Sequence, residues 1–175
     1  MRHLLVLALV LLVGLVGLVG LVGCSDDVDL TGIYRVNVAV KARPCGTDQP
    51  DGTASAFVKL SKANLFGTEF FSYDGCSDEA GEDCSSINGL FGGFFEPIDD
   101  GWLGYSSYAS NSGLNCSLGI TSTTAILKGS ALVIDGSTYG DLVELAEDKC
   151  TPEEAEKRGE DMPCTEHERV EATRL

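Results

Sequence analysis

The clearest pattern in this chain is an alternation of apolar and polar side chains over residues 31–41. The apolar members fall on one face of an extended chain, namely Tyr34, Val36, Val38 and Val40. Arg35, Asn37 and Lys41 fall on the other face. A period of two residues over this length predicts a β-strand with one buried face.

Further strands are expected wherever short apolar runs stand between turn residues. The runs are residues 56–60, 65–73, 89–98, 102–110, 118–127, 131–134, 138–145 and a last strand after Cys164 that runs through Arg174. The predicted turns are residues 61–64, 99–101, 128–130 and 135–137. Asp100-Gly101 between two apolar runs is a strong hairpin signal. The sequence therefore predicts a succession of β-hairpins.

One short helix is expected near the C-terminus. Thr151, Pro152 and Glu154 supply an N-cap, a first helical residue and the acidic partner of a capping box. Gly159 ends this helix. With no strand–helix–strand rhythm elsewhere, the fold class is an all-β antiparallel domain, either a barrel or a β-sandwich, over residues 31–175.

The N-terminus has a different pattern, because residues 4–23 carry no charged or polar side chain. A charged start followed by such a run predicts an export signal over residues 1–23, with an uncleaved membrane anchor and ordinary secretion as alternatives. In each case the folded domain lies outside the cytoplasm.

The run ends in Leu21, Val22, Gly23 and Cys24. These four residues resemble the lipobox of bacterial lipoprotein precursors, in which a peptidase cuts before the Cys. The resemblance implies that Leu21, Val22 and Gly23 are recognition positions and that Cys24 carries the lipid. More than one acyl chain anchors a protein stably. Ser25 after the Cys implies the outer membrane, with the periplasmic or the surface face left open, and residues 24–30 form a short tether.

The composition is strongly acidic, with 12 Lys and Arg against 27 Asp and Glu and a net charge of −15. Because Arg2 lies in the export signal, the mature chain is more acidic by one unit. Such a surface argues against nucleic acid and against electrostatic docking on anionic lipid. The lipid anchor is therefore the expected contact with the membrane.

Six cysteines follow Cys24, and an even number in an oxidising compartment predicts three disulfides. Proximity along the chain favours Cys150–Cys164 and Cys76–Cys84, which leaves Cys45–Cys116 by elimination. No Cys-x-x-Cys pair occurs, so we expect neither a zinc ribbon nor a thioredoxin-type site.

Aromatic residues are concentrated in one stretch, and they are the candidate lining of a ligand cavity. They are Phe91, Phe94, Phe95, Trp102, Tyr105 and Tyr108. Tyr and Trp present polar tips within an apolar wall, which suits a small apolar ligand. The alternative is a hairpin whose rings fill the core beside glycines.

Other candidates for chemistry are weaker. The acidic segment 74–86 is expected to be a solvated loop rather than a calcium site, since it does not match an EF-hand loop. His167 would have to act as the base of any Ser–His hydrolase, yet no Gly-x-Ser-x-Gly motif is present. We therefore expect no catalytic residue, metal or cofactor.

The first strand begins Gly32-Ile33-Tyr34, which resembles the Gly-x-Trp start of lipocalin-type barrels, with Tyr34 in place of Trp. The resemblance implies a ring that closes one end of the barrel beneath an Arg of the last strand, here Arg169 or Arg174. Two functions are expected from the whole sequence. The first is a non-enzymatic interaction or structural module that meets another envelope protein, and the second is a lipocalin-like binder of a small apolar ligand.

Overall fold

The fold was established from a computed structural model, which describes residues 27–86, 93–113 and 115–175. The described strands are β1 Gly32–Ala42, β2 Gln49–Pro50, β3 Phe57–Leu65, β4 Thr68–Cys76, β5 Cys84–Ser86, β6 Gly93–Phe94, β7 Glu96–Ile98, β8 Gly101–Ser112, β9 Asn115–Lys128, β10 Ala131–Glu144 and β11 Cys164–Arg174. The helix α1 is Pro152–Arg158, flanked by two short 3-10 turns. The expected all-β class with one short helix near the C-terminus is confirmed.

All strands belong to one antiparallel sheet with the order β5-β4-β3-β1-β11-β10-β9-β8-β7. The sheet curls so that its two halves pack face to face. Val58 and Phe71 from one half share a core with Ala125 and Leu132 from the other. The sheet does not close into a barrel, so the sandwich alternative describes the fold and the lipocalin-like barrel does not.

The segment from β6 to β7 lies between the two ends of the curled sheet. β6 pairs with β4 through Phe94 and Phe71, whereas β7 pairs with β8. Phe95, between the two short strands, donates its backbone N–H to the carbonyl of Leu103 at 2.9 Å. The strand predicted over residues 89–98 therefore changes partner halfway, and its first part lies outside the described residues.

Two of the predicted turns are wrong. Residues 61–64 belong to β3, and the chain reverses instead at Phe66 and Gly67, both with positive φ (52° and 92°). Residues 135–137 continue β10, where Gly136 pairs with Thr123 on one side and Glu168 on the other. Polar residues and a glycine suggested turns here, but long two-sided pairing outweighs local propensity. The turns at residues 99–101 and 128–130 are present between their hairpin strands.

The helix α1 forms where the capping residues predict it. Thr151 Oγ1 accepts a hydrogen bond from the backbone N–H of Glu154 at 3.3 Å, and Gly159 follows the helix with φ 55°. The Glu154 carboxylate turns to Arg158 at 3.0 Å instead of back to the cap. The helix covers the outer face of the sheet, where Ala155 packs with Leu118.

Three disulfides are present, and two of the predicted pairings are wrong. Cys76–Cys84 is confirmed, but Cys150–Cys164 and Cys45–Cys116 are replaced by Cys45–Cys164 and Cys116–Cys150. The β1–β11 ladder explains the first correction. Ala42 lies opposite His167, so the same register carried three residues further brings Cys45 opposite Cys164. Packing of the helix region against β9 brings Cys150 to Cys116.

The folded domain begins before the predicted boundary. Leu30 is fully buried, and its carbonyl accepts a hydrogen bond from the Tyr34 hydroxyl at 2.7 Å. The carbonyl of Val28 accepts a hydrogen bond from Trp102 Nε1 at 2.6 Å. Val28 and Leu30, assigned to the tether from sequence, therefore belong to the core, while Cys24 and the export signal lie outside the described residues. Among the described helices none is long and apolar enough to cross a membrane.

Candidate ligand-binding site

The interior of the sandwich is apolar at one end and is lined by small or polar residues at the other. Inward positions on neighbouring strands are apolar at one end, as shown by Trp102, Ala125, Ile134 and Val170 in successive register pairs. Two residues further along each strand, the corresponding positions are Gly104, Thr123, Gly136 and Glu168. The next layer is Ser106, Thr121, Thr138 and Glu166. The apolar end is filled, and the other end is lined by small or polar side chains.

A cavity of about 290 Å³ occupies this second half. Its wall of small residues is formed by Ser106, Thr121, Thr123 and Thr138, and Tyr73 and Phe94 contribute aromatic rings. Thr121 and Thr138 share a hydrogen bond between their hydroxyl oxygens at 3.1 Å. The volume is just below the range for small-molecule sites, roughly 300–1,000 Å³. The lining offers both hydrogen-bonding groups and apolar surface.

A second cavity of about 350 Å³ adjoins the first. The two cavities share Tyr73, Glu166 and Glu168 in their lining, and the second also contacts Lys41 and Asp51. Tyr73 is only 5 % exposed and thus stands between two hollow regions. Its pKa is raised by burial first and then by the negative charges of Glu168 and Asp51. The Tyr73 hydroxyl therefore keeps its proton and can donate it in a hydrogen bond.

Ionic groups cluster where the cavities meet. Lys41 Nζ lies 2.8 Å from Glu166 Oε1 and 3.6 Å from Glu168 Oε2, and Arg43 also donates to Glu166. The hydrogen bond that Lys41 donates to Glu166 raises the pKa of Lys41. Partial burial opposes ionisation of Glu166, but the bonds from Lys41 and Arg43 hold its pKa below the usual range. Glu166 thus pairs with two basic side chains, whereas Glu168 has a single, longer contact with Lys41.

The aromatic residues expected to form one wall are divided among different surroundings. Phe94 lines the cavity and contacts Tyr73 edge to face, with centroids 6.5 Å apart. Trp102 packs edge to face on Phe71 in the filled end. Phe95 stacks on Phe70 with centroids 4.8 Å apart. The lining therefore takes only part of the predicted set.

The two tyrosines of that set are each nearly half exposed. Tyr105 contributes to the cavity lining. The ring of Tyr108 covers Gly119 so closely that a Cβ there would lie 2.3 Å from the ring. Phe91 lies outside the described residues. Alternation along β8 distributes the aromatic rings over both of its faces, which is why a cluster in sequence does not become a wall in space.

The other sequence candidates take structural roles in the described part of the chain. In the acidic loop, Asp78 accepts hydrogen bonds from the backbone N–H groups of Asp83 and Glu82, which lower its pKa. No group of three or more His, Cys, Asp or Glu among the described residues is arranged to hold a metal ion. His167 contacts Asp48 and Asp135 rather than the cavity.

Sequence reasoning missed the residues that line the cavity, above all Glu166, Glu168 and the threonines. A signal was present, since Glu166, Glu168, Val170 and Ala172 occupy alternate positions of one predicted strand.

Comparisons of the chain with protein-family models, with curated proteins and with solved structures give no match.

Proposed function

We propose that this protein is a lipid-anchored protein of a bacterial envelope whose domain binds a small molecule of mixed polarity without transforming it. The observation that carries the proposal is the hollow half of the sandwich. Hydroxyl groups of Ser106, Thr121 and Thr138 face a cavity that also contacts Phe94 and Ile134. Small-molecule sites combine apolar surface with a few polar groups that orient the ligand, and this lining offers both.

The lining favours ligand binding over a purely structural role, but it changes the ligand expected from sequence. A wholly apolar molecule would add no hydrogen bond to the threonine hydroxyls or to the Glu168 carboxylate and would cover these polar groups. A molecule with a ring or short chain and at least one polar group satisfies both kinds of surface. The acidic exterior then serves solubility and keeps the domain away from anionic lipid headgroups.

The position of the anchor suits such a role. Residues 28–30 pack across the filled end, where Trp102 and Arg174 bind their carbonyls. The three residue steps from Cys24 to Asp27 span at most roughly 10 Å. A lipid on Cys24 would thus hold the filled end next to the membrane, while the cavity layer containing Glu166 and Thr138 would face away from it. Ligand could then enter from the aqueous side.

The anchor is tested by mass spectrometry of the mature N-terminus. We expect acyl mass on Cys24 and no residue before it. A Cys24→Ala variant should keep its export signal and remain unacylated. An intact Met1, or a mature Cys24 without added mass, would contradict the lipid anchor but would leave the cavity untouched.

The cavity is tested with three probes of similar size, benzyl alcohol, benzylamine and benzoate, added to the full-length protein in detergent. We expect at least one of them to bind, measured by calorimetry and by a rise in the unfolding temperature. Ser106→Phe fills the cavity and should abolish that binding. Ser110→Phe places the same ring on an exposed position of β8 and should not. If no probe binds the wild-type protein, the proposed function is wrong.

A further inference from the structure

The cavity lining contains a carboxylate, that of Glu168, which is only weakly paired. The contact of Glu168 with Lys41 is 3.6 Å long, and Lys41 gives its closer bond, at 2.8 Å, to Glu166. Glu166 receives Arg43 as well. The side chain of Glu168 is about one-third exposed, so its charge is only partly solvated. A further cation in the cavity would complete its pairing.

A second group points to the same conclusion. Only 5 % of the Tyr73 surface is exposed. Its hydroxyl forms no hydrogen bond with any of the described residues. No fully enclosed side-chain oxygen in the described part of the chain lacks a partner, so this hydroxyl is reached from a cavity. Tyr73 lines both cavities. A hydroxyl that is reached from a cavity can hydrogen-bond a ligand there.

There is room beside Glu168 for a ligand group. Its register partner on β10 is Gly136, and Gly104 lies in the same layer on β8. Neither has a side chain, but their neighbours lie close, since a Cβ on Gly136 would lie 2.8 Å from Thr123 Oγ1 and one on Gly104 would lie 2.4 Å from the carbonyl oxygen of Gly93. The room for a ligand group is therefore the cavity of about 290 Å³ that Glu168 lines together with these residues. The aromatic rings of Tyr73 and Phe94 lie on the lining of the same cavity. The negative face of an aromatic ring attracts a cation within about 6 Å of its centroid.

The sign of the charge in the lining selects the ligand. Glu166, Glu168 and Asp51 outnumber Lys41 and Arg43, and the chain as a whole carries −15. An acidic protein concentrates cations near its cavity mouth and repels anions. An anionic ligand would have to compete with Glu166 for both basic side chains.

We infer that the ligand is a small organic cation, whose ammonium or guanidinium group sits between the Glu168 carboxylate and the rings of Tyr73 and Phe94. The threonine hydroxyls of the neighbouring strands β9 and β10 bind its polar substituents. This inference rests on the proposed ligand-binding function and adds the class of ligand. It requires no chemical step.

The three probes of similar size separate the inference from the function on which it rests. We expect benzylamine to bind the full-length wild-type protein about ten- to a hundred-fold more tightly than benzyl alcohol, because it adds a charge-assisted hydrogen bond. Benzoate should bind more weakly than benzyl alcohol. Equal binding of all three, or preference for benzoate, would overturn the cation but keep the cavity function. Absence of all binding would overturn the function itself.

Substitutions then test the residues. Glu168→Gln should remove the preference for benzylamine and leave the affinity for benzyl alcohol within about twofold. Glu171→Gln, the same change on the same strand but outside the cavity lining, should leave the preference intact. Tyr73→Phe keeps the ring and should weaken benzylamine only about three- to tenfold. Retention of the full preference in a folded Glu168→Gln protein would refute the assignment.

Discussion

Arg174 of the last strand stacks on the ring of Tyr34 of the first strand, with its Cζ 5.3 Å from the ring centroid. Its Nη2 donates to the Tyr34 hydroxyl at 2.9 Å and to the carbonyls of Asp29 and Thr31 at the same distance. The Tyr34 hydroxyl in turn donates to Leu30. One guanidinium thus joins the first and last strands of the sheet over the filled end of the sandwich.

The first prediction concerns this contact. Arg174→Gln leaves two carbonyls and a buried hydroxyl without a donor, and we expect a loss of about 3 kcal/mol in the free energy of unfolding. The unfolding temperature should fall by roughly 5–10 °C. Arg35→Gln removes a guanidinium from an exposed ion pair with Glu79 and should cost less than about 1 kcal/mol. Similar losses in the two variants would show that Arg174 does not hold the end closed.

Strict alternation made the extent of β1 predictable, and the caps made α1 predictable, because both signals are local. The predicted buried face of β1 is wrong beyond Val36, because a bulge between Val36 and Val38 leaves Val38 44 % exposed and brings Ala39 against the core. The residues 135–137 were not predictable in this way. Asp135, Gly136 and Ser137 look like a turn in isolation, but in the sheet they pair on both sides with β9 and β11. A glycine in such a strand leaves space for an inward neighbour, here Thr123. That role depends on residues distant in sequence.

The second prediction concerns the disulfides. Removing Cys45–Cys164 by a double substitution to Ser releases a loop of 119 residues and should cost about 5 kcal/mol in the loop-entropy treatment. Removing Cys76–Cys84, with a separation of 8, should cost about 2.5 kcal/mol. Denaturant unfolding measures both values, and peptide mapping without reduction checks the pairing. A larger loss from the shorter loop would contradict this order.

The pairing of Cys45 with Cys164 shows what a sequence reading lacks. Nearness along the chain favoured Cys150 as the partner of Cys164, yet antiparallel register brought the distant Cys45 opposite it. The cavity was hidden for the same reason. Each lining residue is unremarkable on its own strand, and only the register of β8, β9, β10 and β11 assembles them into layers.

The third prediction concerns the turn between β3 and β4. Phe66 is fully exposed and has φ 52°, a conformation that disfavours bulky side chains. Asn at the first central position before Gly67 is the preferred sequence for such a hairpin. We therefore expect Phe66→Asn to raise the free energy of unfolding by about 1 kcal/mol. Leu142→Asn, at an exposed apolar residue of β10, should give no gain, and thermal unfolding distinguishes the two.

The last prediction concerns pH and His167. Its Nδ1 lies 3.1 Å from Asp48 and its Nε2 3.4 Å from Asp135, which also binds Arg169. The hydrogen bond with Asp48, followed by that with Asp135, raises the pKa of His167 above its usual value. The folded protein therefore holds the proton more tightly than the unfolded chain does. This stabilisation is fully present below the unfolded pKa of about 6.5 and is lost as the pH rises through the raised folded pKa.

Thermal unfolding of the full-length protein between pH 5.5 and 8.5 measures the effect. The wild-type unfolding temperature should decline towards the alkaline end, relative to a His167→Gln variant that has no imidazole to titrate. Asp48→Asn keeps the imidazole but removes its nearer carboxylate, so its decline should be smaller and should be complete at a lower pH. Since His167 is partly exposed, solvent screening limits the size of the change. Parallel curves for the wild type and His167→Gln would show that the Asp48–His167–Asp135 bridge does not couple protonation to folding.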